Sequence, residues 1–285
     1  MAIRVQAVRF YRVPMKTRFP FRYGIASLTE LPHLLVICDV EIDGRRSTGI
    51  SADGLAPKWF TKDPATSFED DDLPAMQTVI RHAADVALAA GTQADFFAWW
   101  QVLHREQSAW AGQNQIAPLL SGLGCSLLER AVIDAFCRHH QRPFHELLRA
   151  NALGIRLGDM RSELTGLQPA DVLPNPPLSS VAVRHTVGLA DPLTDQEIPH
   201  DQQLDDGLPH SLAAAIQAYG LRYFKVKLSG DLAGDHERLR RLVEVFQQEV
   251  GADYRFTLDG NENYPSVAAF REHWEHHRQH APIRE

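Results

Sequence analysis

The chain has 285 residues, a formal net charge of -7 at pH 7 and 44% hydrophobic residues. This length suffices for two domains or for one large one. The negative charge, with no basic stretch to offset it, argues against nucleic-acid binding. No run of about 18 apolar residues occurs, so we predict no membrane span. The N-terminus lacks the apolar core of a signal peptide, and three scattered cysteines read as reduced thiols, so we predict a cytoplasmic protein.

The first half of the chain predicts a mixed α+β region. Alternating or continuous apolar residues predict strands over three segments: 3–13, 33–42 and 47–50. The pair Asp43-Gly44 lies between the second and third of them, and it is a common hairpin turn because glycine accepts positive φ. Apolar residues at helical spacing predict three helices: 73–90, 95–110 and 126–140. We therefore expect an antiparallel meander followed by helices.

The second half predicts a different architecture. Residues 149–180 are rich in Gly, Pro and Asn and read as a linker or an insertion. Beyond them strands and helices alternate, over the segments 181–187, 211–219, 223–228, 235–250, 255–258 and 266–279. This alternation predicts a parallel sheet with right-handed crossovers, whose functional site lies at the C-terminal ends of the strands. In the last helix we expect Val267, Phe270 and Trp274 to point inward.

Two lysines one residue apart, Lys225 and Lys227, lie on the second predicted strand of this half. Side chains two positions apart on a strand share a face, so both amines should point to the same side. If the apolar neighbours face the surrounding helices, that side is the interior of a barrel. Two close ammonium groups repel and burial disfavours their charge, so we expect one lysine to lose its proton near neutral pH and act as a general base.

Asp259 ends the next predicted strand, in the segment Asp259-Gly260-Asn261. A carboxylate in that position can hold a hard divalent cation such as Mg²⁺. A base beside a metal ion suits removal of a proton next to a carboxylate, because the metal stabilises the charge that builds on the carboxylate oxygens. The alternative interpretation is that the lysines lie on the solvent-exposed face of an edge strand and that Asp259-Gly260 is only a turn.

Four histidines follow each other at helical spacing on the last predicted helix: His273, His276, His277 and His280. Histidines at such spacing can share a metal ion. The glutamates between them, Glu272 and Glu275, favour a solvent-facing patch instead.

These motifs resemble the enolase superfamily, in particular the mandelate racemase/muconate lactonizing enzyme group. The resemblance rests on Lys225-Val226-Lys227 and Asp259-Gly260-Asn261, and also on Glu129–Ala135 and Pro20–Gly24 in the first half. It implies an α+β capping domain over 1–148, the linker or insertion over 149–180, and the first part of a TIM-type (β/α)-barrel over 181–285. That barrel would be incomplete, with about three of the eight strands present.

The resemblance also implies a role for each site residue. Lys227 corresponds to the acid/base that takes the α-proton, Lys225 to the neighbour that contacts the substrate carboxylate, and Asp259 to the first of three Mg²⁺ ligands. Three further residues are expected to contact the substrate: Tyr23, Asn261 and His185. His185 is expected from its position alone, because on the first predicted strand of the second half it lies on the face that approaches the lysines. The segments 20–26 and 50–60 correspond to capping-domain loops that select the substrate.

The implied reaction is a Mg²⁺-assisted dehydration, epimerisation or racemisation, or cycloisomerisation of a small carboxylate such as a sugar acid. The other two metal ligands and the opposing acid/base would lie on later strands, so we expect weak Mg²⁺ binding and little activity from this chain alone. A homo-oligomer is expected for a full-length protein. The alternatives are a non-catalytic half-barrel, a subunit that needs a complementary chain, and an unrelated α/β binding domain with exposed lysines.

Overall fold

The structure, a computed structural model, describes residues 1–23 and 26–284. The chain forms two compact units: unit 1 comprises Met1–Arg18 and Leu28–Ser179, and unit 2 comprises Phe19–Ser27 and Ser180–Glu285. No helix of the described part combines the length and the apolar character needed to cross a membrane. The domain boundaries expected at 148 and 180 stay a prediction.

The first three strands form one sheet, in the order β1 (Ile3–Tyr23), β2 (Ala26–Ile42) and β3 (Arg45–Gly54). β2 and β3 pair antiparallel, from His33 opposite Gly54 to Ile42 opposite Arg45. Asp43 and Gly44 at the turn have φ of 46° and 77°, the positive values that a two-residue hairpin turn requires. The predicted hairpin is therefore confirmed, whereas the segment expected as a loop over 20–26 lies largely within β1 and β2.

Among the described residues of unit 1, six α-helices follow: α1 (Leu73–Ala89), α2 (Phe96–Gln113), α3 (Pro118–His140), α4 (Phe144–Arg149), α5 (Leu157–Met160) and α6 (Pro169–Val172). The three predicted helices are confirmed, and α3 begins earlier than its periodicity suggests, at a proline suited to a first helical turn. The expected linker region, 149–180, is tied to unit 1: Leu153 is buried in its core, and Arg149 Nη1 donates to the Leu173 carbonyl over 3.1 Å.

The packing of α3 on β3 holds unit 1 together. At Gly49 a Cβ atom would lie 2.1 Å from the Ala131 carbonyl oxygen, so strand and helix are in backbone contact there. On either side of this contact, Ser47 Oγ donates to the Ala135 carbonyl over 2.8 Å, and Ser51 Oγ donates to the Leu127 carbonyl over 2.6 Å. The predicted apolar face of α3 is buried against this sheet and α1.

Unit 2 alternates strands and helices: β4 (Arg184–Val187), α7 (Leu212–Tyr219), β5 (Tyr223–Lys227), α8 (Leu232–Glu249), β6 (Arg255–Asp259), α9 (Val267–Arg278) and α10 (Ala281–Arg284). The strands form a parallel sheet in the order β4-β5-β6. The predicted alternation and the parallel sheet are confirmed. The described residues thus combine an antiparallel three-stranded sheet with a parallel one.

The core of unit 2 lies between β5 and α8, where the rings of Phe224 and Phe246 stack with centroids 4.2 Å apart. α9 differs from its prediction. Val267, Phe270 and Trp274 are 75%, 37% and 40% exposed, so the expectation that they point inward is wrong. Phe270 and Trp274 instead line an open groove of about 460 Å³ along β6, because no further strand lies beside β6 in the described residues.

Candidate active site

The register of the parallel sheet brings the predicted lysines and aspartate to one face. Lys225 lies opposite Thr257, and Lys227 lies opposite Asp259. The intervening residue, Val226, is buried in the core, so the lysines occupy the other face of the sheet. The alternation expected from the sequence is therefore confirmed.

Both amines converge on one carboxylate oxygen at the C-terminal ends of β5 and β6. Lys225 Nζ lies 2.6 Å and Lys227 Nζ 2.8 Å from Asp259 Oδ2. Lys227 Nζ also donates to Asn261 Oδ1 over 2.8 Å. The cluster thus holds two basic groups and one acidic group, a composition that suits the binding of an anionic substrate.

The electrostatics of Asp259 follow from its surroundings. Burial disfavours its ionised form, but hydrogen bonds from Lys225 and Lys227 and from the Asn261 backbone outweigh it and hold the pKa of the carboxyl well below its usual range. The side chain of Lys227 is 10% exposed, compared with 30% for Lys225 and 22% for Asp259. Lys227 is thus the inner amine of the pair.

A buried carboxylate secures the loop that follows β5. Asp235, on the first turn of α8, accepts hydrogen bonds from the Ser229 backbone over 2.9 Å, from Ser229 Oγ over 2.8 Å and from the Gly230 backbone over 2.9 Å. Since this loop begins one residue after Lys227, the contacts restrain the end of the strand that carries the inner amine.

The loop after β6 is fixed in a similar way. Asn261 adopts a left-handed φ of 47°, and its backbone N–H donates to Asp259 Oδ1 over 3.0 Å. Asn263 Nδ2 donates to the Leu228 carbonyl over 2.9 Å and so links this loop to the end of β5. Asparagine tolerates the left-handed region better than most residues, which explains its place directly after Asp259-Gly260.

Arg184 is a third cation on this face that the sequence analysis did not identify. Its guanidinium Nη1 donates to Thr257 Oγ1 over 3.3 Å, across the strand that carries Lys225. The available signal was its position on β4, two residues before Thr186, which lies opposite Lys225. A strand of four residues is too short for its alternation to show in the sequence which residues share a face with the lysines.

Two predicted substrate contacts receive no support from the structure. His185 lies opposite Phe224, so it shares the core-facing side of the sheet, and the expectation that it faces the lysines is wrong. Burial lowers the pKa of its imidazole. The side chain of Tyr23 lies outside the described part of the chain. A role for either residue in substrate binding stays a prediction.

The residues at this edge fit a magnesium ion only in part. Asp259 and Asn261 offer oxygen donors of the kind that Mg²⁺ prefers. However, the same Asp259 oxygen already accepts from both lysines. Within residues 1–23 and 26–284 no group of three or more His, Cys, Asp or Glu side chains stands at metal-binding distances. The described residues therefore provide one carboxylate ligand and do not complete a magnesium site.

Comparison with solved structures shows which fold this is. An enolase from Bradyrhizobium complexed with magnesium and mandelic acid has 16% identity and a TM-score of 0.59, with 98% of this chain and 59% of that chain covered. A dipeptide epimerase from Methylococcus capsulatus, complexed with Mg and the dipeptide L-Arg-D-Lys, has 20% identity and a TM-score of 0.54, with 97% and 58% covered. A mandelate racemase/muconate lactonizing protein from Herpetosiphon aurantiacus has 18% identity and a TM-score of 0.54, with 92% and 54% covered.

No protein-family model matches the sequence, and neither does any curated protein. The chain spans 54% to 59% of the length of these three structures. At such identities the likeness concerns the fold. The resemblance predicted from the sequence is confirmed at that level: over nearly its whole length the chain is folded like structures of the enolase superfamily.

Proposed function

We propose that this chain carries the proton-abstracting part of an active site that acts on a carbon next to a carboxylate. The observation that supports the proposal most directly is the convergence of Lys225 and Lys227 on Asp259 at the ends of adjacent parallel strands. The fold adds support, because two of the neighbouring structures were solved with magnesium and with a small carboxylate, mandelic acid in one and a dipeptide in the other.

We assign the acid/base role to Lys227 and the recognition of the substrate carboxylate to Lys225. Lys227 is the less exposed amine and is held from two sides, by Asp259 and Asn261. In its amine form it takes the α-proton and becomes an ammonium, while the electron pair of the C–H bond moves into an enediolate. Lys225 is more exposed, so its amine is the more accessible one for an incoming carboxylate.

Mg²⁺ is the cofactor that we propose for the assembled site, with Asp259 as the ligand from this chain and Asn261 as a substrate contact. When bound, Mg²⁺ would stabilise negative charge on the carboxylate oxygens of the substrate. Since the described residues supply a single carboxylate ligand, we expect the 285-residue polypeptide alone to bind Mg²⁺ weakly and to turn over little substrate. Dehydration, epimerisation or racemisation, and cycloisomerisation all proceed from the same enediolate.

The first experiment tests the carboxylate-binding role. Mandelate is titrated into the 285-residue protein carrying ¹³Cε-labelled lysine, and the lysine signals are followed by NMR. We expect mandelate to shift the signals of Lys225 and Lys227, and we expect Lys225→Gln to weaken binding at least about tenfold. Lys16→Gln, at an exposed position of β1, is the control and should bind mandelate like the parent.

The second experiment tests the chemistry. The protein, with and without the proteins that co-purify with it, is incubated in D₂O with Mg²⁺ and either mandelate or dipeptides, and loss of the α-proton signal is measured. We expect exchange of the α-proton for deuterium only in the sample that keeps the co-purifying proteins. Lys227→Gln should abolish this exchange. Exchange that continues in Lys227→Gln, or a titration in which neither lysine signal moves, would contradict the proposed site.

A second candidate function is a non-catalytic half-barrel or a subunit that pairs with a complementary chain or with itself. The open groove beside β6 favours this alternative, because Phe270 and Trp274 leave apolar surface there. Size-exclusion chromatography with light scattering separates the two cases. A stable assembly that loses its partner in Trp274→Glu and shows no α-proton exchange would support the non-catalytic candidate.

A further inference from the structure

The face of the unit 2 sheet that carries the lysines is polar along all three strands. In the register of the sheet its side chains form three layers, which lie two residues apart along each strand. The first layer holds Arg184, Tyr223 and Arg255, the second holds Thr186, Lys225 and Thr257, and the third holds Lys227 and Asp259. Four basic side chains therefore share this face with one carboxylate.

Such a face is unusual for a parallel sheet. Parallel sheets are generally covered on both sides, so their strands are rich in Val, Ile and Leu, and bulky branched side chains fill the interior of a (β/α)-barrel. The opposite face of this sheet follows that rule, because Val187, Phe224 and Val226 are buried in the core of unit 2. Packing the polar face against a dry apolar surface would leave buried charges without partners, which is costly. This face is therefore suited to a solvated cavity that admits an anion.

The two arginines of the first layer bond to neutral oxygens. Within the described residues, Arg184 Nη1 donates to Thr257 Oγ1 over 3.3 Å, and Arg255 Nη1 donates to the Tyr254 carbonyl over 2.7 Å. A guanidinium is always charged in proteins and presents five N–H donors, so each arginine keeps donors for a further acceptor. A carboxylate is the acceptor whose planar shape matches a guanidinium best.

The contact of Arg184 defines its distance from the lysines. Lys225 Nζ and Lys227 Nζ converge on Asp259. Arg184 instead reaches Thr257, two residues earlier on the same strand. Two residues of a strand span about 6.6 Å, so the face offers two cationic positions about that far apart. The lysine pair occupies the position nearer to the C-terminal ends of the strands.

We propose that the substrate of this site carries two acidic groups, and that Arg184 is the specificity-determining residue that binds the second one. The inference rests on the proposed function, because the first carboxylate is the one bound at Lys225 next to the carbon that Lys227 deprotonates. The ligand class is a straight-chain dicarboxylate of about six carbons, since C–C bonds of about 1.5 Å place its two carboxyl carbons about 6 Å apart. Tyr223 lies between the arginines of the first layer, and its phenol adds a donor for the second carboxylate.

The test compares adipate with hexanoate, two acids of equal chain length of which only adipate has a second carboxylate. Each is titrated into the 285-residue protein carrying ¹³Cε-labelled lysine and ¹³Cζ-labelled arginine, at low ionic strength, where charges are screened least. We expect both acids to shift the signals of Lys225 and Lys227, and only adipate to shift that of Arg184. Adipate should bind at least about tenfold more tightly than hexanoate, because hydrogen bonds between charged groups are strong.

Variants of Arg184 separate a binding role from a structural one. Arg184 is exposed, so its substitution should leave the fold intact. Arg184→Gln should abolish the preference for adipate and leave the affinity for hexanoate unchanged. Arg184→Lys should restore part of the preference, because it keeps the charge and loses the bidentate geometry. Arg240→Gln on α8, where the guanidinium bonds to Glu237 and Glu244 of the same helix, is the control and should change neither affinity.

The possible outcomes distinguish this inference from the function on which it rests. Equal affinities of adipate and hexanoate, with lysine signals that respond to both acids, would overturn the inference and leave the carboxylate-binding role of the lysines intact. A preference for adipate that persists in Arg184→Gln would overturn the role of Arg184. If neither acid moves the lysine signals, the proposed function fails and the inference fails with it.

Discussion

Both units lay helices with apolar stripes beside a sheet, but the stripe of α3 in unit 1 is buried, whereas that of α9 in unit 2 is largely exposed. In unit 1, α3 lies so close to β3 that Gly49 has no room for a Cβ atom, and serine hydroxyls bond across the contact. In unit 2, the apolar residues of α9 line an open groove beside β6. An apolar stripe thus indicates which face of a helix is suited to burial, and a neighbouring surface decides whether it is buried.

The candidate active site forms even though the groove beside it is open. Its lysines and Asp259 lie on adjacent strands, and the register of that one strand pair places them within 2.6 and 2.8 Å. Closing the apolar surface of α9 requires a further element, whereas bringing the charges together requires only β5 and β6. Substitutions in each of these regions test this contrast between closed and open packing.

The largest effect is expected at the closed contact. Gly49→Ala places a methyl group 2.1 Å from the Ala131 carbonyl oxygen, and backbone atoms cannot move aside as a side chain can. We expect the free energy of unfolding to fall by about 4 kcal/mol or more, measured by urea denaturation. Gly122→Ala in α3 is the control, because nothing lies within 4 Å of its added methyl group. A loss at Gly49 no larger than at Gly122 would show that α3 is not in close contact.

A pair of phenylalanines compares closed and open packing within unit 2. Phe246 is buried against Phe224, so Phe246→Ala should lower the free energy of unfolding by about 3–5 kcal/mol. Phe270 lines the groove and is partly exposed, so Phe270→Ala should cost about 1 kcal/mol or less. Urea denaturation of both variants measures the difference. Equal costs would mean that the groove is covered in solution.

A smaller, pH-dependent effect is expected at Asp259. Its pKa is depressed in the folded protein, so the stability it contributes is complete above the unfolded pKa of about 3.9 and is lost as pH falls through the folded value. We expect Asp259→Asn to be less stable than the parent by about 1–3 kcal/mol at pH 7, and the difference to shrink steadily below about pH 4.

Urea denaturation at several pH values checks this prediction. The control is Asp253→Asn, which removes a surface ion pair with Arg222 and should change stability by less than about 1 kcal/mol. A difference between the parent and Asp259→Asn that stays constant down to pH 2 would contradict the charge-based account.

The smallest expected effect is on the rate at which the cysteines of unit 1 react with a thiol reagent, which reports on the contact between β3 and α3. Burial raises the pKa of the Cys38 thiol to about 12 and that of Cys125 to about 11, so both should react slowly with a thiol reagent, after the half-buried Cys137. Cys38 lies opposite Gly49 in the β2–β3 register. Gly49→Ala should therefore accelerate labelling of Cys38, and rapid labelling of Cys38 in the parent would show that the interface opens readily.

The sequence predicted most of the elements and the orientation of the lysines, for a local reason. Helical periodicity and strand alternation depend on neighbours within about two turns or a few residues, and Lys225 and Lys227 are two apart on one strand. The hairpin at Asp43-Gly44 and the end of β6 at Asp259 have equally local signals. The convergence of both lysines on one oxygen of Asp259 then follows from the pairing of β5 with β6.

Features that depend on partners distant in sequence were not predictable. Whether α9 buries Trp274 depends on what lies beside β6. His277 is 1% exposed, so the expected solvent-facing patch is wrong for this residue, and its burial depends on its contact with His236, 41 positions away along the chain. The face of His185 depends on where the short strand β4 begins, which its composition does not define. Arg184 was missed for the same reason.

One turn of α8 links the amine that we assign to proton transfer with the contact between His236 and His277. Asp235 anchors the loop that follows Lys227, and the next residue along the helix is His236, which contacts His277. A shift of this turn would therefore move the loop after Lys227, which Asp235 holds through Ser229, and would also move the His236 ring against His277. A substitution that displaces this turn should consequently disturb the end of β5 and the packing of α9 together.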